Sequence, residues 1–206
     1  MVAQSVLHVG PMKSGKSKAL LEKAKELEAN NISYICFKPS VDHRNGDYLY
    51  SRHFKDDYKV PVMKVDYAKQ IYTKVIKKKS SYTTVLIDEI MLFDSDILGV
   101  IDALYYHKID LIAAGLNLDF RKMPFPLSDW GLITDNNDLL SMTMEHVMDQ
   151  FNEIVYHESA CEVCGKNARY SQRLIDGEPA SFDSPLIIIG DEEYQARCQM
   201  HHALKG

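Results

Sequence analysis

The 206-residue chain is short of the features that mark secreted, membrane-spanning and polyanion-binding proteins. It has four cysteines, too few for a disulfide-dense scaffold, and no leader with a charged start and a long apolar core precedes them. No apolar run approaches the roughly 18 to 20 residues that cross a bilayer. Lys and Arg number 24 against 29 Asp and Glu, a net charge of −5, so there is no domain-wide positive field to hold nucleic acid. A reduced, cytosolic protein is expected, with neither a membrane nor a nucleic acid as partner. Internal repeats and low-complexity tracts are also missing. What is present is an ordinary globular balance, 46% hydrophobic and 26% charged, enough for one sizeable domain and a small appendage.

Over the first 115 residues short apolar runs alternate with amphipathic stretches, the pattern of a parallel sheet covered by helices. The runs at 5–9, 33–38, 84–88 and 110–115 predict strands buried on both faces. Segments 17–31, 67–79 and 96–108 predict helices. The first stops at the pair Asn30-Asn31, which tolerates left-handed backbone, and Lys77 begins a lysine run that suits a solvated helix end. Residues 40–60 are polar, aromatic and turn-rich, and read as a loop over the sheet. After Asp119 periodicity weakens, and 123–131 reads as irregular. The segment 146–157 reads as strand-like, so a boundary is expected near 145, separating a nucleotide-binding domain (1–145) from a cysteine-containing one (146–206). Cys36, inside an apolar run, reads as core.

Three constellations carry chemistry. Gly10-Pro11-Met12-Lys13-Ser14-Gly15-Lys16-Ser17 fits G-x4-G-K-[ST] between a predicted strand and helix. Such a loop curls so that backbone N–H groups face phosphate oxygens at the positive end of a helix. Lys16 would reach the β- and γ-phosphates and Ser17 would bind Mg2+; the plain alternative is a glycine turn before an ordinary helix. Asp88 and Glu89 end an apolar strand, where carboxylates can serve a metal and a nucleophile. Asp88 would hold Mg2+ and Glu89 would take a proton, unless the pair is a solvated strand end. Finally, Cys161-x2-Cys164 and Cys198-x2-His201 can close a tetrahedron around zinc, and four protein ligands make such a site structural. His202 competes with His201, and unligated reduced cysteines are the alternative.

Together with Asp42-x-Arg44, the block 115–125, the stretch 168–174 and the stretch 186–194, these motifs resemble the cytosolic thymidine kinases that carry a zinc-tethered lasso domain. The resemblance covers nearly the whole chain. It implies a P-loop NTPase-like (RecA-like) α/β fold, a mostly parallel sheet with helices on both faces, plus a small zinc-containing lasso domain. By the same resemblance Glu89 is the base on the 5′-hydroxyl of thymidine and Phe120 packs on the thymine ring. Leu186, Ile187, Ile188, Ile189 and Gly190 correspond to the lasso strand that bonds the base through its backbone, and Tyr194 closes the pocket. Met12 and Leu116 face the thymine methyl group, Ser171 stands where relatives carry Thr, and Asp42 and Arg44 lie near the nucleotide. Two positions depart from the family pattern: Met91 replaces a glutamine and Asn117 an aspartate. The expected activity is ATP-dependent phosphorylation of thymidine, with deoxyuridine also accepted, by a homotetramer. The rival reading is a P-loop ATPase or GTPase that uses hydrolysis for conformational switching.

Overall fold

The structure, a computed structural model, describes residues 3–51, 54, 57–77, 81–133, 139–187 and 194–205. Strand β1 (Ser5–Val9) runs through the phosphate-loop sequence into helix α1 (Lys16–Ala29), and β2 (Tyr34–Pro39) follows. Two short strands, β3 (Tyr48–Leu49) and β4 (Val60–Pro61), pair antiparallel within the polar segment. Next come β5 (Met63–Val65), α2 (Lys69–Tyr72), β6 (Thr84–Ile87), α3 (Asp96–Tyr106) and β7 (Asp110–Gly115). Helix α4 (Met144–Met148) leads to β8 (Glu153–Tyr156). Six of these strands form one parallel sheet in the order β5-β2-β6-β7-β1-β8.

Strand side chains alternate between two cores, as a period of two requires. Cys36, Leu86, Ile112 and Ala114 pack with Leu20, Leu21, Ala24 and Leu27 of α1 on one face. Phe37, Val85, Ile87, Leu111 and Ala113 pack on the other with Ile71 of α2, Ile97 and Ile101 of α3, and Val147 of α4. Helices therefore cover both faces, and each fully buried leucine or isoleucine contributes roughly 1.5–3 kcal/mol. Cys36 is core, its thiol pushed up by burial.

Two expectations about elements change. The segment 146–157 is not strand throughout: the Thr143 hydroxyl accepts from Glu145 N at 3.3 Å and His146 Nδ1 accepts from Thr143 N at 3.2 Å, capping α4 before β8 begins. Across 67–77 the helix is regular only over α2; Thr73–Lys77 continues as a π-helical turn, where β-branched Thr73, Val75 and Ile76 favour a regular helix poorly. Helix α1 ends as its sequence implies, with Asn31 at φ +54°. Among the described residues no helix is long and apolar enough to cross a membrane.

Beyond β8 the strands are short. Strands β9 (Ser159–Ala160) and β10 (Asn167–Ala168) form a pair, and β11 (Tyr170–Ile175) lies between β12 (Glu178–Pro179) and β13 (Tyr194–Arg197). This C-terminal part is tied to the phosphate loop: Met12 N donates to Ser171 Oγ at 2.9 Å, and Lys13 Nζ lies 3.1 Å from Glu162 Oε1.

Candidate active site

The parallel sheet delivers β1, β2 and β6 to one edge, and their C-terminal ends surround a cleft of about 320 Å³. Residues 12–17 of the loop line it, with Asp42, Arg44, Asp88 and Glu89 opposite. Gly10 stands at the root of the loop at φ +150°, where a Cβ would lie 2.3 Å from the His157 carbonyl oxygen. Gly15, at φ +90°, makes the left-handed step into α1. The Lys16 ammonium folds back on the loop, donating to the Pro11 carbonyl at 2.7 Å. Burial pushes its pKa down to about 8 despite the pull of Glu89 and Asp88. Here the lysine is a buried point charge at the start of α1, where a loop of this sequence receives a polyphosphate.

Asp88 and Glu89 sit differently although adjacent. Asp88 is buried, 3.3 Å from the Ser17 hydroxyl, and burial followed by the charge of Glu89 pushes its pKa up to about 7. A hydroxyl and a carboxylate oxygen are hard donors of the type Mg2+ takes, so this pair fits that ion. Glu89 adopts left-handed backbone at φ +53°, which costs an ordinary residue roughly 1–2 kcal/mol and is the kind of strain kept at functional sites. Arg44 Nη2 donates to Glu89 Oε1 at 2.6 Å while its Nε and Nη2 grip the two oxygens of Asp42 at 2.8 and 2.9 Å. Burial favours a protonated Asp42, but Arg44 and Lys38 overcome it and hold the carboxyl below its usual range.

Lys38 was not singled out from the sequence. It is 2% exposed, donates to the Arg44 carbonyl at 2.7 Å and lies 3.0 Å from Asp42 Oδ2. A lysine ending an apolar strand reads as a solvated terminus, and only the fold over Asp42 makes it a buried partner. Without it, Asp42 would be left with Arg44 as its cationic partner, a guanidinium that Glu89 also shares.

A smaller, mainly apolar cavity adjoins the cleft, lined by Met12, Leu116, Phe120, Ser171, Leu186, Ile187 and Tyr194. Phe120 and Tyr194 are buried and share a cluster with Met12 and Leu186. Ile188, Ile189 and Gly190 lie outside the described residues. Met91, where the resemblance implies a glutamine, lines the same cavity, and Leu116 N is directed at its sulfur, a weak acceptor, at 3.3 Å. Glu89, Arg44 and Met12 line both spaces, which places the carboxylate at the junction.

In the C-terminal part Cys161, Cys164, Cys198 and His201 bring their ligand atoms within 4.8 Å of one another. Cys164 Sγ and Cys198 Sγ are 3.8 Å apart, and His201 Nδ1 is 3.8 Å from Cys161 Sγ and 3.3 Å from Cys198 Sγ. Zinc–ligand lengths in a tetrahedron imply edges of about 3.8 Å between sulfurs and about 3.6 Å between sulfur and nitrogen, so the four atoms fit the ion. His202 is not among them.

The family profile described as thymidine kinase matches residues 3–202. A thymidine kinase of Thermococcus kodakarensis is 34% identical over 194 residues, 94% of this chain and 90% of the relative. The sulfate complex of the genome packaging NTPase B204 from Sulfolobus turreted icosahedral virus 2 is 20% identical, aligns over 75% of this chain and 74% of that one, and has a TM-score of 0.41, too low to bear on function. With a phosphate loop, a strand-end carboxylate pair and a matching profile over nearly its whole length, the chain belongs to the thymidine kinase family and is a phosphotransferase acting on thymidine.

Proposed function

We propose that the enzyme transfers the γ-phosphoryl group of ATP to the 5′-hydroxyl of thymidine, giving thymidine monophosphate and ADP. One observation carries the reading: Glu89 stands where the phosphate-binding cleft meets the apolar cavity, and nucleoside and nucleotide must meet at that point. The loop N–H groups and Lys16 receive the polyphosphate. Ser17 and Asp88 would hold Mg2+, which when bound would neutralise phosphate charge. Glu89 takes the hydroxyl proton as that oxygen attacks the γ-phosphorus and ADP departs. Arg44, anchored by Asp42, faces both Glu89 and the cleft, where its charge balances the transferring phosphoryl group.

For the nucleoside, Phe120 offers a planar surface, Met12 and Leu116 face the thymine methyl group, Ser171 and Tyr194 frame the pocket, and Leu186 and Ile187 supply backbone contacts. One methyl group is worth only about 1–3 kcal/mol, so deoxyuridine is accepted too. The cysteine–histidine cluster holds one structural zinc. Since β8 belongs to the large sheet, we draw the domain division after Tyr156 rather than near 145. A homotetramer follows from the resemblance alone and a cytosolic location from the composition and the resemblance together, and sedimentation tests the first. The decisive experiment is radiolabel transfer from ATP across the common nucleosides and deoxynucleosides. Preference for thymidine supports the reading, whereas ATP hydrolysis with no acceptor phosphorylated overturns it.

A further inference from the structure

Two adjacent histidines compete by sequence for one ligand position, and the fold gives them separate partners. His201 joins the cysteine cluster. His202 turns away from it, with Nε2 2.8 Å from the carbonyl oxygen of Phe120 and its ring edge-on to Tyr170 at 5.7 Å. A carbonyl only accepts, so Nε2 carries the hydrogen. The residues that follow stay on the same course. Ala203 N donates to Gln172 Oε1 at 2.8 Å, Leu204 packs into the cluster of Phe120, Ala180 and Tyr194, and Lys205 N donates to the Ala180 carbonyl at 3.1 Å. The chain leaving the last metal ligand is thus laid directly against the residue that forms the aromatic wall of the apolar cavity. Phe120 sits in the turn closed by the Leu118–Pro124 bridge, where Asp119 holds the N–H groups of Arg121 and Met123, but among the described residues no backbone N–H takes the Phe120 carbonyl.

We propose that His202 is a positioning residue for nucleoside binding: it fastens Phe120 to the metal-ligating turn, so that the cysteine–histidine cluster and the aromatic wall are held as one body. The inference rests on the reading of Phe120 as the surface on which the base packs. It gives the metal cluster a defined route to the nucleoside pocket, one hydrogen bond long.

The test measures thymidine and ATP binding by calorimetry and zinc per chain by metal analysis in His202→Ala, His202→Gln, Phe120→Ala and the His202→Ala/Phe120→Ala pair. His202→Ala should raise the thymidine dissociation constant about three- to tenfold, as loss of one half-buried hydrogen bond does, with zinc content and ATP binding unchanged. The glutamine variant, which keeps an N–H donor, should recover most of the loss. Phe120→Ala should weaken thymidine binding on its own, and adding His202→Ala to it should cost less than about twofold more, because both act on one ring. Loss of zinc from His202→Ala would make His202 a ligand and overturn the inference, as would wild-type thymidine binding or fully additive losses. Normal thymidine binding by Phe120→Ala would overturn the reading of the pocket itself, an outcome distinct from a silent His202→Ala beside a weakened Phe120→Ala.

Discussion

Gly10→Ala tests whether the phosphate loop is held by the neighbouring strand as the structure requires. A Cβ there would meet the His157 carbonyl oxygen at 2.3 Å, its carbon at 3.0 Å and Cβ at 3.1 Å. Carbon–oxygen contacts relax near about 3.3 Å, so the loop root and the residue after β8 must separate by roughly 1 Å. Both sides are backbone, so no side chain can swing aside. The bond from His157 N to the Val9 carbonyl, 2.7 Å in the native chain, is then stretched beyond hydrogen-bonding range. Overpacking costs about 1–3 kcal/mol, the positive φ about 1–3 and the lost bond about 0.5–1.5, together on the order of 3–7 kcal/mol. That is a large share of a typical domain's stability and corresponds to a fall of roughly 6–28 °C in Tm. Gly15→Ala is the control, because its φ of +90° meets open space, and it should cost only about 1–2 kcal/mol of backbone strain. Urea unfolding followed by circular dichroism gives the ranking, and calorimetry gives ATP affinity, which should fall sharply in Gly10→Ala. If Gly10→Ala unfolded at the midpoint of Gly15→Ala, or bound ATP like wild type, the close approach of these two backbones would be wrong.

Other outcomes follow from the same geometry. Glu89→Gln keeps the side-chain shape, and Asp42 still grips Arg44, so substrate binding should persist while the single-turnover rate falls about 10²-fold or more; full activity would remove Glu89 from the mechanism. Burial brings Lys16 from 10.5 to about 8, so between these values the folded chain binds fewer protons than the unfolded one and this group's contribution to stability grows as pH rises. For ATP the sign reverses: above pH 8 binding must recharge Lys16, and the dissociation constant should rise by up to about tenfold per pH unit, with proton uptake visible in buffers of different ionisation heat. Equal heats in all buffers would contradict it. Cys164→Ser should lose zinc and raise KM for thymidine while ATP still binds, since the phosphate loop belongs to the large sheet; metal-free protein with unchanged thymidine kinetics would refute the structural role.

Much of this molecule is written locally. Doubly buried strands show as short apolar runs, so β1, β2, β6 and β7 are legible to within a residue or so. A phosphate loop must be built from consecutive residues, because neighbouring N–H groups bind the phosphates, and a zinc knuckle needs its cysteines at fixed spacing. Helix α4 escaped because its capping partner is His146 rather than the usual glutamate or glutamine, and an apolar run flanked by polar residues does not distinguish one helical turn from a strand.

The sequence by itself determined which residues could bind phosphate and ligate zinc, and that a parallel sheet would carry them. Only the tertiary structure decided what they face. Arg44 meets Glu89 across 45 residues, His202 meets Phe120 across 82, and Ser171 meets the phosphate loop across 159. Lys38 becomes a buried counter-ion because the following loop folds back over it, and Glu89 takes its left-handed turn between the end of β6 and the 3-10 turn Ile90–Leu92. Composition and spacing report forces that act along the chain, whereas burial, ion pairing and backbone strain depend on which distant segments the sheet order places side by side.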